Sequence, residues 1–169
     1  LEEYNISLGI FKNLKDTAGF IAIQNNLGIV YRKKGNVKKA IWYFSENLEL
    51  TKIYSDVAYS RKIKLYSLAN IGQLYRHMRD NEKARTYYAL VLKEEAFMDK
   101  QSLAPVLTNM GQTCLTDHIL DSALYFMNRS LKLYEELNNK KGYATCLGNI
   151  GNTYKRMSDS LRAMECYRS

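Results

Sequence analysis

The sequence predicts an all-α fold of stacked antiparallel helix pairs, and three observations carry that prediction. Asn26-Leu27-Gly28 comes back as Asn70-Ile71-Gly72, Asn109-Met110-Gly111 and Asn149-Ile150-Gly151, with the glycines 44, 39 and 40 residues apart. Twelve residues after each glycine stands an alanine: Ala40, Ala84, Ala123 and Ala163. The 169 residues include a single proline, Pro105, and nine glycines that fall mostly at fixed places in the repeat, so helices are long and seldom broken. A period near 40 residues means a solenoid, in which each helix pair buries its apolar face only by stacking on its neighbours.

Each element follows from local pattern. Tyr4, Leu8, Phe11 and Leu14 recur at spacings of three and four and predict a helix over residues 1–14, followed by a turn at Lys15-Asp16-Thr17-Ala18-Gly19. A helix over 18–34 carries Leu27 and Tyr31 and stops at Gly35-Asn36, a helix-end signal. Its partner runs over 37–55, with Ala40, Tyr43, Phe44 and Leu48 on one side. The alternation then repeats as helices over 59–78 and 81–97, 101–117 and 120–137, and 141–157 and 160–169. Asp80, Asp121 and Asp159 stand before or at the start of second helices, where a carboxylate accepts bonds from free amides. Links of two or three residues within pairs force antiparallel hairpins, and no segment alternates as a strand does.

Composition narrows the function. With 46% hydrophobic and 25% charged residues the chain forms a core rather than staying disordered, and no run of 18 apolar residues exists to span a membrane. Cys114, Cys146 and Cys166 form no Cys-x-x-Cys and read as reduced packing residues, which favours a reducing, cytoplasmic compartment. The net charge of +8 is unevenly spread, since residues 99–140 are slightly acidic and interrupt the continuous basic stripe that nucleic-acid binding wants. The start at Leu1 and the stop at Ser169, within a helical pattern, read as a fragment of a longer protein.

The pattern Leu27-Gly28…Tyr31…Gly35-Asn36…Ala40…Phe44 resembles a tetratricopeptide repeat, as does Ile150-Gly151…Tyr154…Ala163…Tyr167. Ile71-Gly72…Tyr75…Ala84…Tyr88 and Met110-Gly111…Cys114…Ala123…Met127 complete the series. The resemblance covers essentially the whole chain and implies a right-handed α-α superhelix in one domain, 1–169. Residues 1–17 supply the second helix of a partial repeat, 18–57, 58–99 and 100–139 are full repeats, and 140–169 is truncated. The period of about 40 residues, against the usual 34, is similar to the long-helix variety of bacterial signalling regulators and of kinesin light chains. The glycines let paired helices approach, the alanines supply the small facing surface, and Tyr31, Tyr75 and Tyr154 fill the groove between pairs. Cys114 departs from that pattern and predicts a thinner layer.

Offsets of minus two, plus one and plus five from each glycine share a second helix face. It reads Asn26-Ile29-Lys33, Asn70-Gln73-His77, Asn109-Gln112-Thr116 and Asn149-Asn152-Arg156. The resemblance implies that first helices line the concave groove. Amides there offer a donor and an acceptor to the backbone of an extended peptide, while Arg32, Arg76, Lys155 and Arg156 favour an acidic partner. The candidate groove residues are Asn26, Lys33, Asn70, Gln73, Arg76, His77, Asn109, Gln112, Asn149, Asn152 and Arg156. The alternative is that the asparagines only bridge neighbouring first helices. The lysine that family members place three residues before the glycine to clamp chaperone termini is replaced by Asn25, Ala69, Thr108 and Gly148, which argues against a chaperone clamp.

Cys114 and His118, four apart on one helix, form a conceivable thiol–imidazole pair, but one is expected in the core and the other in a turn. Two separated histidines make no metal site, and no phosphate loop or hydrolase motif occurs, so no catalytic residue, cofactor or metal is assigned. Glu2-Glu3, Glu94-Glu95 and Glu135-Glu136 are expected to face water, and Trp42 is expected to pack against the next pair, the alternative being a partner anchor on the outer surface. The expected function is a protein-interaction module for a peptide or helix, the sensing part of a larger bacterial signalling protein. The alternative is a scaffold or homo-oligomerisation module. The alternative setting is a periplasmic sensor region of a membrane protein.

Overall fold

The computed structural model describes residues 6, 17–53 and 57–168. Of the helix expected over 1–14 only Ile6 falls among them. Every regular element among the described residues is helical, as the missing strand alternation predicts. The chain divides into two compact units, residues 1–78 and 79–169.

The first unit holds α1 (Thr17–Lys33), α2 (Val37–Ile53) and α3 (Val57–His77). Of the turn expected over 15–19, the described residues 17–19 are helical, since the first described turn of α1 begins at Thr17. Helix α2 packs on both α1 and α3, and α1 also touches α3. Ile21, Leu27, Ala40, Phe44, Leu65, Ile71 and Leu74 are buried between them. Three apolar stripes at helical spacing thus meet in one core, which burial of roughly 1.5–3 kcal/mol per large side chain stabilises.

The second unit holds α4 (Asn81–Leu92), a 3-10 turn (Glu95–Phe97), α5 (Lys100–Thr116), α6 (Leu120–Glu136), α7 (Lys140–Arg156) and α8 (Ser160–Arg168). Successive helices pack in order, and α5 also meets α7. Cys114, Leu115, Ala123, Met127 and Ile150 form one buried cluster, while Ala104, Tyr134 and Cys146 form another. The helix expected over 81–97 stops at Leu92. The turn that follows leaves Glu95 bound to Arg129 Nη2 at 2.6 Å, so this glutamate is paired rather than simply hydrated.

Helix ends obey one rule. The seventh residue after the repeat glycine takes left-handed backbone in every repeat: Gly35 (φ 73°), Arg79 (62°), His118 (60°) and Ser158 (63°). Asn36, Ile119 and Asp159 each donate a backbone N–H back to Tyr31, Cys114 and Tyr154 at 2.9 Å, closing the wide loop that ends a helix in this conformation. The next residue caps the second helix. Asn36, Asp80 and Asp159 accept the amides of Lys39, Lys83 and Arg162. Asp121 does not cap: Ile119 occupies that position and contributes no side-chain bond.

Gly28, Gly111 and Gly151 show what the repeat glycine is for. A methyl group on them would lie 2.6, 2.7 and 2.6 Å from Phe44 Cε1, Met127 Cγ and Tyr167 Cε1. The principal neighbour is therefore the large side chain sixteen residues on, and at Gly111 the Ala123 carbonyl at plus twelve, 3.2 Å away, adds to the contact. Trp42 corrects an expectation. It is 53% exposed, with its ring edge-on to Tyr43 at 4.8 Å, and does not enter the core.

Candidate functional site

The face of interest is built by the first helices of each pair, α1 and α3 in the first unit and α5 and α7 in the second. Leu27, Ile71, Met110 and Ile150, one residue before each glycine, are buried and fix the rotation of each helix. The residues at minus two and plus one are thereby turned outward. Asn26 and Asn152 are exposed, while Asn70, Gln73, Asn109, Gln112 and Asn149 are half-buried. Lys33, His77 and Arg156 are exposed at the helix ends, and Arg76 is half-buried. None of the eleven candidates is buried.

Within the first unit, Arg32 reaches from α1 to α3 and donates through Nη1 to Gln73 Oε1 at 2.6 Å. Gln73 is thus fixed with its carbonyl on the guanidinium. Partial desolvation of the otherwise exposed His77, and then the charges of Arg76 and Arg32, hold its imidazole below its ordinary pKa, which favours the neutral form at pH 7. Lys39 lies over the Tyr31 ring at 5.0 Å, leaving Tyr31 stacked on Tyr43.

Within the second unit, Arg156 donates through Nη1 to the Leu115 carbonyl at 3.0 Å, which ties the end of α7 to the end of α5. Asn152 is drawn the other way. Its Oδ1 accepts from Tyr167 on α8 at 2.7 Å, so part of its bonding capacity is already used. Asn149 keeps a buried Nδ2 with no partner. The stripe is therefore a set of amides in different states of commitment.

Behind the stripe lies a polar layer that sequence reasoning missed. In the second unit Thr108 Oγ1 and Ser130 Oγ are 2.7 Å apart, Ser130 donates to the Ala104 carbonyl at 2.7 Å, and Cys146 Sγ lies 3.4 Å from Thr108. The same three register positions in the first unit are Asn25, Asn47 and Ser67. There Asn25 Oδ1, both polar atoms of Asn47 and Ser67 Oγ are buried without a hydrogen-bond partner. Shared offsets pair these sets: minus three and plus nineteen from Gly28 and Gly111, and minus five from the following glycines Gly72 and Gly151.

Cys114 is only 2% exposed, and burial pushes its thiol up, away from the thiolate that nucleophilic chemistry needs. His118 is exposed in its left-handed turn. No group of three metal-ligating side chains comes together among the described residues. An open depression of about 380 Å³ lies at the α6–α7 turn, lined by residues including Tyr134, Asn139, Lys140 and Tyr143, away from the amide stripe. No described helix is long and apolar enough to cross a membrane.

A family model for the tetratricopeptide repeat matches residues 65–96. The chain has the fold of tetratricopeptide-type helical repeat proteins. Solved structures of this type share its fold. BtubC (BKLC) from P. vanneervenii superposes with a TM-score of 0.82 at 22% identity, covering 98% of this chain and 68% of that one. MamA gives 0.63 at 18% identity over 83% of this chain and 70% of its own. NprR, solved in complex with its cognate peptide NprX, gives 0.67 at 16% identity over 98% of this chain and 55% of its own. No curated protein sequence matches the chain. The repeat glycines of this tetratricopeptide-type chain explain helix packing, and its asparagines stand on the neighbouring face.

Proposed function

We propose that this chain is a protein-interaction module that holds an extended peptide or a helix of a partner along the amide faces of its first helices. The observation that carries the reading is that all eleven candidate residues remain at least partly exposed while the residue before each glycine is buried. Amides so placed satisfy the donors and acceptors of a peptide backbone whatever its side chains. The likeness to NprR, whose structure holds a peptide, supports the same use of the fold. The setting proposed is the sensing part of a larger cytoplasmic signalling protein, where the free cysteines stay reduced.

Selection from a degenerate octapeptide library tests the reading. Asn26→Ala with Asn70→Ala in the first unit, or Asn109→Ala with Asn149→Ala in the second, is expected to weaken the selected peptides about tenfold or more. Unchanged affinity in both double variants contradicts it.

A second reading is favoured by α8. Leu161 is 78% exposed, and Met164 and Tyr167 are also uncovered, although buried side chains occupy the Tyr167 register in earlier repeats. Self-association through this face is the corresponding function. A sedimentation coefficient independent of concentration rules it out.

A further inference from the structure

Arg32 and Arg76 hold the same register position, four residues after Gly28 and Gly72, on α1 and α3. Both are half-buried, and both have a buried Nε without a hydrogen-bond partner. Arg32 is seated on the stripe itself, because its Nη1 is bonded to Gln73 Oε1. Lys33 and His77 follow at the helix ends and are exposed.

Cations suit helix C-termini, so one arginine at each end would need no further explanation. Convergence needs one. The Arg76 and Arg32 charges both act on His77, which places the three groups within electrostatic reach of one another. Among the described residues no carboxylate pairs with Arg32 or Arg76. In the first unit Glu49 is taken by Lys52.

The second unit handles the corresponding edge differently. Its C-cap residue Asp117 is paired with Arg85 and accepts from Asn81, while Arg156 is held by the Leu115 carbonyl. Charge there is matched by the chain's own acceptors. In the first unit Arg32 has the Gln73 amide oxygen as its acceptor, and the buried Nε–H groups of Arg32 and Arg76 remain to be satisfied.

We propose that Arg32, Arg76 and His77 form a cradle for a carboxylate of the bound partner, with Gln73 holding the Arg32 guanidinium in place. The inference rests on the peptide-binding reading and locates its acidic determinant. A guanidinium presents paired N–H donors that match a carboxylate's two oxygens, and a neutral imidazole contributes one more donor. Lys33 adds long-range attraction at the rim. The cradle selects an Asp or Glu side chain, or a free C-terminus, at one end of the peptide lying on α1 and α3.

The library selection is run with the wild type and with Arg32→Gln/Arg76→Gln, whose helical content is checked by circular dichroism. In parallel, the arginine Nε–H signals of the wild type are followed by NMR during titration with sodium acetate and with inorganic phosphate. The expected result is an excess of Asp and Glu in wild-type peptides, lost in the variant with an affinity drop of about tenfold. Acetate is expected to shift Arg32 and Arg76 saturably while sparing Arg156. Selected peptides without acidic enrichment overturn the cradle and leave peptide binding standing. If no peptide is selected at all, the peptide-binding reading falls, and the acetate titration decides the cradle: saturable shifts uphold an isolated carboxylate site, and none overturns it. Saturation by phosphate but not acetate overturns the carboxylate assignment in favour of a phosphate ligand.

Discussion

Gly28 lies against the Phe44 ring so closely that a methyl group on it would sit 2.6 Å from Cε1. Phe44 is fully buried and cannot swing aside. Gly28→Ala is therefore expected to destabilise the protein by about 1–3 kcal/mol through overpacking, despite the better helix propensity of alanine. Gly148 is the internal control, since a methyl group there meets nothing within 4 Å. Gly148→Ala should stabilise by about 1 kcal/mol. Urea melts of the two variants report both signs.

Left-handed backbone at Gly35, Arg79, His118 and Ser158 gives a second prediction. Only the first of these is glycine, and a side chain at such a φ costs roughly 1 kcal/mol. His118→Gly and Ser158→Gly should each raise the midpoint of thermal unfolding. Gly35→Ala should lower it through the backbone alone, because the added methyl has open space. Equal midpoints for all three would remove this account of the helix ends.

The two polar layers should respond oppositely. Ser130 is bonded to Thr108 and to the Ala104 carbonyl, so Ser130→Val is expected to cost about 1–3 kcal/mol. Asn47, at the same register, is fully buried with neither amide atom bonded. Asn47→Val places there the residue type that Val91 supplies in the intervening repeat, and should stabilise by about 1 kcal/mol or more. Denaturant midpoints decide, and a loss of stability in Asn47→Val would show that this amide is satisfied in solution.

His77 should titrate below the ordinary value near 6.5, because burial and then Arg76 and Arg32 disfavour its charged form. As pH falls through about 6.5 the unfolded chain takes up the proton before the folded one, so this group's contribution to stability declines toward acid. Following the imidazole signal by NMR, Arg76→Gln should move the midpoint upward. A midpoint insensitive to that change would place Arg76 away from His77.

Burial also pushes the Cys114 and Cys166 thiols up, with Glu165 adding to the effect at Cys166. Only Cys166 is partly exposed; Cys114 and Cys146 are buried. Alkylation of the native protein should therefore modify Cys166 first, slowly at pH 7 and faster as pH rises. Mass spectrometry showing Cys114 labelled as readily as Cys166 would contradict its burial.

The fold was legible because its information is local and repeated. Asn-x-Gly and the alanine at plus twelve fix the register, and helix spacing assigns the faces. Most helix ends fall within two residues of expectation. The end of α4 does not, because Lys93-Glu94-Glu95-Ala96-Phe97 contains no breaker and reads as continuing helix, whereas the structure turns there to place Glu95 on Arg129. Trp42 was misread because spacing places a residue on a face but does not reveal whether the neighbour covers it.

The candidate face was legible for the same reason, and its internal bonds were not. Arg32 to Gln73, Arg156 to the Leu115 carbonyl and Tyr167 to Asn152 join residues 41, 41 and 15 positions apart. No local pattern encodes such pairs. The polar layers were hidden similarly: Asn25, Asn47 and Ser67 look unremarkable until the register aligns them with Thr108, Ser130 and Cys146.

The proposed ligand surface is the amide faces of the first helices, where a peptide is held. Mapping by amide NMR with a library-selected octapeptide addresses it directly. Shifts confined to Asn26, Asn70 and Gln73 of the first unit, or to Asn109, Gln112 and Asn149 of the second, are the predicted result. Shifts centred on second helices, at Trp42 or Tyr125, would contradict it.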